Sequence, residues 1–392
     1  MLARVGLPAV AGAIAFALYL LTISPSIGVL HDNIDSAELV VIASNLGIAH
    51  PPGSAMWMPL GWATLEVLSF IPEPALRTNL LSALLMSGAV AALAVAVQSW
   101  RPGTPGWAAA LAGLLGGLAP LVWAQAIFTE VLALQALLAA LALVLVIDAT
   151  AGRRWTAFAL VLGLLAWNHP TGLALGVPLG VAALVSARPS RREWPRVLLA
   201  FAAPGLFSVA YLLLRADAPI AWGNTSTLPG VWAHLSGSAY QHVTDLSTTN
   251  LRGGIPEAVR VALLQMPPPL WLAMPAGALA LANARPLLAA ALGVTAVLLI
   301  VFVATYRATG HIDYLATVVF IEAMLAAWGV EALWGWLRPH LVDRSARIAL
   351  AVGCAGLVAV WVAFSGTRVP SATTRDSSTR RARRWLRRRQ TP

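Results

Sequence analysis

Long apolar runs alternate along this chain with short breaks that carry arginine. Runs of about 18 residues or more recur over the whole length, as expected of helices that cross a bilayer. They predict eleven membrane-spanning helices, near 6–23, 76–98, 107–122, 129–149, 155–168, 170–186, 197–214, 262–282, 286–304, 314–337 and 347–365. The third and fifth are short enough to be tilted or partly re-entrant. No series of short alternating strands is visible, so a membrane barrel is not indicated. The expected class is an all-α polytopic membrane protein.

The breaks divide by charge. Arg4, Arg101, Arg153, Arg154, Arg188, Arg191, Arg192, Arg196, Arg285, Arg338, Arg344 and Arg347 fall on alternate, short breaks, which the positive-inside rule assigns to the cytoplasm. The opposite side carries the long connections, 24–75, 215–261 and 305–313, which become external loops. The first should hold amphipathic helices, and the second reads as an ordered surface loop rich in Gly, Ser, Thr, Trp and His. Residues 1–365 thus form one transmembrane domain. The tail, 366–392, holds nine arginines yet lands outside on an odd count of spans. Either one span is miscounted or the tail is an exception to the rule.

Composition narrows the setting. The chain is 59% apolar and 11% charged, with a mean hydropathy of +0.76. All 26 basic side chains are arginine, which with heavy Ala, Leu and Gly usage suggests a GC-rich bacterial genome and hence an inner (plasma) membrane. The single cysteine, Cys354, excludes an internal disulfide or a cysteine metal cluster. The first apolar run lacks a small-x-small cleavage site and reads as an uncleaved helix. No Walker loop, dinucleotide fingerprint or His-Glu-x-x-His is present, so cytosolic nucleotide chemistry is unsupported and no nucleic-acid partner is expected.

Against this background the polar groups stand out. Asp32, Asp35 and Glu38 fall within seven residues directly after the first apolar run. Ionisable residues at a membrane boundary are expensive, and a functional site is the default reading. On a helix, Asp35 and Glu38 lie one turn apart. Asp35-x-x-Glu38 is equally the spacing of a capping box, and a capping carboxylate can also be catalytic. Further polar residues recur at predicted external helix ends: His50 in His-Pro-Pro-Gly, Arg77, Asn79 and Ser82, Gln125 and Glu130, Asn168 and His169, Trp222 and Asn224, then Arg307, His311 and Asp313. Each could be a cap, a turn or an interhelical hydrogen bond. All fall on the side of the acidic loop, and one external pocket would gather them. Its carboxylates could act as base or nucleophile, its histidines and arginines could hold phosphate, and Trp222 could be a sugar platform or an interfacial anchor. A lipid-phosphate-linked sugar fits such a pocket.

Several motifs also resemble a known family. They are Asp35-Ser36-Ala37-Glu38, Leu46-Gly47-Ile48-Ala49-His50-Pro51-Pro52-Gly53, Arg77-Thr78-Asn79-Leu80-Leu81-Ser82-Ala83, Trp123-Ala124-Gln125, Glu130-Val131-Leu132-Ala133-Leu134 and Asn168-His169, followed by Ala221-Trp222-Gly223-Asn224, Trp232-x-His234-Leu235-Ser236-Gly237 and Asp313-Tyr314-Leu315. Together they resemble the family known as domain of unknown function 2723, which is related to protein O-mannosyltransferases and lies in the GT-C glycosyltransferase superfamily. The resemblance implies a GT-C-type fold and inverting transfer of a sugar from a polyprenyl phosphate to an external hydroxyl. It makes Asp35 the catalytic carboxylate, with Glu38 positioning the acceptor or assisting. His50, His169, Arg307 and His311 are the phosphate candidates; Asp32, Arg77, Asn79, Glu130, Asn168, Trp222, Asn224 and Asp313 complete the expected substrate-binding set. Phosphate is a stable leaving group, so no metal or other cofactor is expected. Ala37 departs from the family's Asp-Ser-Gly-Glu, and neither sugar nor acceptor (protein, lipid or glycan) carries over. Arg375-Asp376-Ser377-Ser378 resembles the family's external C-terminal segment and favours an external tail. A lipid-sugar flippase or transporter is the alternative, and a glycolipid-binding scaffold is a third reading.

Overall fold

A computed structural model describes residues 6–27, 35–308, 310–339, 356, 359–363, 365 and 366. Asp32, Cys354, most of the span expected near 347–365 and the arginine-rich tail lie outside the described residues.

The described residues are mainly helical. Its helices are α1 (Gly6–Thr22), α2 (Asp35–Ser44), α3 (Met58–Val67), α4 (Pro74–Trp100), α5 (Gly106–Gly117), α6 (Pro120–Ala126), α7 (Leu132–Thr150), α8 (Trp155–Asn168), α9 (Gly172–Ser186), α10 (Trp194–Leu214), α11 (Leu228–Leu235), α12 (Thr248–Leu263), α13 (Pro268–Ala284), α14 (Pro286–Thr305) and α15 (Ala316–Leu337). Proline starts many of them, as in α4, α10, α13 and α14, where its missing N–H costs nothing. Glu73 caps α4 by accepting from Ala75 N at 3.3 Å.

Among the described residues five helices, α4, α7, α10, α14 and α15 with the short turn before it, are long and apolar enough to cross a membrane. A sixth span results if α5 and α6 are counted together, although they bend by 74° at the break before Pro120. Helices α1, α8 and α9 are apolar but shorter. The eleven expected positions are therefore met in part. The run near 262–282 is divided, because Pro267, Pro268 and Pro269 end one helix and begin the next. The short third run is the bent α5–α6 pair.

Small residues set the helix crossings. A Cβ on Gly277 of α13 would lie 1.9 Å from the Leu325 carbonyl oxygen, and one on Gly329 of α15 would lie 1.9 Å from that of Ala273. The two backbones approach as membrane helices do when small residues face each other. Two deep polar atoms are satisfied across helices: Tyr19 Oη donates to Gly117 O at 2.7 Å and Trp100 Nε1 to Leu143 O at 2.6 Å.

The long connections fold as one layer at one end of the bundle. The first holds α2 and α3, whose outward faces carry Val41, Leu60, Trp62 and Val67. Both helices are thus apolar on two sides rather than amphipathic, which suits a lipid boundary. Ile48 pairs with Ala221, joining the first connection to the second, and Thr244 pairs with Tyr306, joining the second to the third. Tyr211 Oη donates to Gly47 O at 2.7 Å. Gly47 must be glycine there, since a Cβ would come within 2.2 Å of the Ile220 oxygen.

Candidate functional site

The joined connections enclose a cavity of about 650 Å³. Asp35 at the start of α2, His50 and Pro51 of the following turn, Glu130 between α6 and α7, His169 between α8 and α9, and Arg307, Asp313 and Tyr314 between α14 and α15 all line it. Tyr240, Gln241 and His242 of the 238–243 turn close one side. Five of the sequence's separate polar signals therefore meet, although they lie as much as 278 residues apart, from Asp35 to Asp313.

At its centre is a histidine between two carboxylates. Glu38 accepts from His50 N at 2.7 Å, and its two oxygens each lie 3.1 Å from His50 Nδ1, which donates to them. The other ring nitrogen, Nε2, is 3.8 Å from Asp35 Oδ2. Glu38 thus reaches across to His50 instead of back along the helix, so the pair is not simply a capping box. Burial disfavours charge on both partners. The hydrogen bonds and mutual attraction outweigh it, holding Glu38 below its ordinary value and His50 above its own, with Asp35 and Glu130 adding to the shift on His50. His50 is therefore held in one orientation, and the carboxylates around it favour a charged ring. Trp222 and Tyr240 stand edge-on to it, with centroids at 6.4 and 6.2 Å.

The remaining groups differ in character. Glu130 is 4% exposed, and burial first, then the charges of Asp35 and Asp313, push it up to about 8. It holds its proton at neutral pH. His169 stacks on Tyr314 at 4.8 Å and accepts from Thr171 N through Nδ1. Burial, then the charge of His50, lower it to about 4, so it is neutral. Arg307 is exposed at the rim. Phe302, Tyr306 and Tyr314 form an aromatic wall, with Phe302 and Tyr306 stacked at 5.1 Å.

Other expected residues serve the scaffold. Arg77 donates to the carbonyls of Ile71, Leu65 and Ser69, closing the turn between α3 and α4. Buried Asn79 donates to Ser24 and Ser26 oxygens and accepts from Thr129 Oγ1. Asn168 donates to Val131 O and Gln135 Oε1. Asn224 accepts from Ser226 within its own turn, and His311 Nδ1 lies 2.7 Å from Ala308 O. None of these five lines the cavity. Asp32 lies outside the described residues.

Sequence reasoning missed the aromatic wall and His234. His234 is 4% exposed and packs under the His-Pro-Pro-Gly turn, where a Cβ on Gly53 (φ +87°) would meet its Nε2 at 2.8 Å. Its spacing from that turn carries no local signature. The one available signal was its place in Trp232-x-His234. As for ions, one oxygen or nitrogen each from Asp35, Glu38 and His50 fall within 4.8 Å of one another and could hold a metal.

The fold is that of a multi-pass helical membrane protein. ArnT from Cupriavidus metallidurans, in its crystal structure bound to undecaprenyl phosphate, is similar with a TM-score of 0.56 at 19% identity, over 82% of this chain and 59% of that one. Within that fold, residues 35–192 match the family model for the protein O-mannosyl-transferase TMEM260 N-terminal domain. Protein O-mannosyl-transferase TMEM260 of Mus musculus is 29% identical over 221 residues, 53% of this chain. The match spans about a third of that relative's length, 31%. The resemblance read from the motifs is thus borne out, and its matched segment begins at Asp35.

Proposed function

We propose that this protein is an inverting membrane glycosyltransferase that moves a sugar from a polyprenyl phosphate to a hydroxyl acceptor at the external face. The observation that carries the reading is Asp35 at the cavity wall beside a histidine ring fixed by Glu38. Asp35 takes the proton of the acceptor hydroxyl as its oxygen attacks the anomeric carbon. The bond from that carbon to the phosphate oxygen breaks on the opposite face, and polyprenyl phosphate departs with the electron pair. Glu38 acts through His50, and Glu130, Asp313 and Trp222 line or approach the sugar and acceptor.

The phosphate candidates sort by charge. His169 is neutral and His50 is committed between two carboxylates. Arg307 keeps a permanent charge at the rim and is assigned the phosphate. Undecaprenyl phosphate in ArnT lends support to a lipid-phosphate donor. The distribution of arginine supports an external site on a bacterial plasma membrane.

The reaction written here needs no metal, because a phosphate monoester leaves stably and His50 already occupies Glu38. If Asp35, Glu38 and His50 instead bind a divalent cation, EDTA will abolish transfer and the cation will restore it. Transfer unchanged by EDTA is the expected result. A flippase is the competing class, but a transporter site sits near the membrane midplane, whereas this cavity lies at one end of the bundle. Incubation with a labelled polyprenyl-phosphate sugar decides between them: the transferase releases free polyprenyl phosphate, and a flippase leaves the donor intact.

A further inference from the structure

The second and third connections meet in a clasp that the proposed reaction does not use. Asp245 N donates to Thr305 O at 2.8 Å and Arg307 N to Val243 O at 2.9 Å, around the Thr244–Tyr306 pairing. At its centre is Asn250, 5% exposed, in the first turn of α12. Its Nδ2 donates to Asp245 O at 2.7 Å and to Ala304 O at 2.9 Å. Ser247 caps the helix by accepting from Asn250 N at 3.2 Å.

This network fixes the amide. Both Nδ2 hydrogens face carbonyl oxygens, so Oδ1 must point the other way, and there it accepts from Arg307 Nη2. The reversed amide would set an oxygen against two carbonyls and a nitrogen against a guanidinium that only donates. The chemistry is selective. An aspartate here would set a second anion beside Arg307, whose charge already draws on Asp245, and confront two carbonyl oxygens, whereas the amide orients the guanidinium without adding charge.

We propose that Asn250 is the positioning residue for Arg307, holding the guanidinium toward the cavity so that it receives the phosphate of a lipid-linked donor. The inference rests on the donor reading above and adds a second-connection residue to it. The same connection packs closely on α14 at Gly254, where a Cβ would fall 2.6 Å from the Ala304 oxygen.

The test measures binding of undecaprenyl phosphate, and of undecaprenol as the phosphate-free control, to the full chain in detergent. Asn250→Ala, Arg307→Gln and the double variant are compared with wild type. We expect each single variant to bind undecaprenyl phosphate about tenfold more weakly, since a hydrogen bond to a charged group is lost or unformed. The double variant should be no weaker than Arg307→Gln, and undecaprenol binding should not change. In transfer assays the donor KM should rise while the acceptor KM holds. Should Asn250→Ala fail to fold, Asn250→Asp replaces it and should weaken phosphate binding further, through a competing charge. Additive losses, or normal binding by the Asn250 variant beside weak binding by Arg307→Gln, overturn the positioning role and leave the donor reading intact. Wild type that binds both lipids equally, or Arg307→Gln that binds as wild type, overturns the assignment of phosphate to Arg307 and the positioning role with it.

Discussion

The two ends of the helical bundle treat charge in opposite ways. At the arginine-bearing end, carboxylates are matched by cations at the surface. Asp148 sits 2.8 Å from Arg153 and 3.3 Å from Arg154, and Glu331 lies 2.9 Å from Arg101. Arg285 turns its Nε to the Trp100 carbonyl. At the other end, Asp35, Glu38, Glu130 and Asp313 gather around one cavity, with His50 lying 3.8 Å from Asp35 and 3.1 Å from Glu38. Exposed pairs contribute little stability. Crowded, partly buried carboxylates cost stability and persist where their altered protonation is used. The difference marks the second end as the chemical one.

The sharpest way to break the comparison is Asp35→Asn. Asparagine keeps the shape and can still start α2, and it removes the charge and the proton acceptor. Transfer should fall about a hundredfold or more, with expression and binding of undecaprenyl phosphate near wild type. An Asn variant with most of its activity would remove Asp35 as base, and Asp32 or Glu38 would be the next carboxylate to test.

Glu38→Gln should come second, at about tenfold, because it loosens charge-assisted hydrogen bonds that orient His50. Its pH dependence is distinctive. Glu38 is held below 4.5, so its stabilisation is present above that value and is lost as pH falls through its folded pKa. His50 is held above 6.5, so its share is present below that value and is lost as pH rises through its folded pKa. The melting-temperature gap between wild type and Glu38→Gln should therefore be widest between pH 4.5 and 6.5. A gap independent of pH would mean that Glu38 fills space and does not hold a charge.

Trp222→Ala should have a smaller effect. The indole is 47% exposed and touches the His50 ring only edge-on. Aromatic contacts of this kind are worth about 0.5–1.5 kcal/mol, so transfer should drop about two- to tenfold, with an unchanged melting temperature. Unchanged transfer with a lower melting temperature would make Trp222 an interfacial anchor.

How far the sequence revealed this depends on the range of the interactions involved. Helices were legible wherever an apolar run sufficed, and Asp35 and Glu38 were legible because so few carboxylates occur. The break at Pro267-Pro268-Pro269 had a local signal, since a residue before proline leaves the helical region, but apolar length hid it. Arg77, Asn79 and Asn168 looked like pocket residues because polarity at a helix end does not say which carbonyls need donors. Asn250 had no signature and His234 only its place in a short motif: the partners of Asn250 at Ala304 and Arg307 lie 54 and 57 residues away, and the turn under which His234 packs is farther still. Glu38 was read with its helix neighbour, yet its bonds cross to His50, twelve residues on.

The smallest expected effect tests the quiet end of the bundle. Arg101 and Glu331 form the ion pair there that most resembles a designed contact, with side chains 24% and 21% exposed. Partial exposure lets water compete, so the pair should contribute no more than about 1 kcal/mol. Removing the arginine does not strand the carboxylate, because Thr104 Oγ1 also donates to Glu331 at 3.3 Å. Arg101→Ala should lower the melting temperature by a few degrees at most and leave donor KM, acceptor KM and the pH profile as in wild type. High salt should shrink even that small difference, since exposed pairs are screened. If Arg101→Ala instead reduced transfer at a temperature where the protein stays folded, charge at the two ends would be coupled through α4 and α15. The division of labour between them would then be wrong.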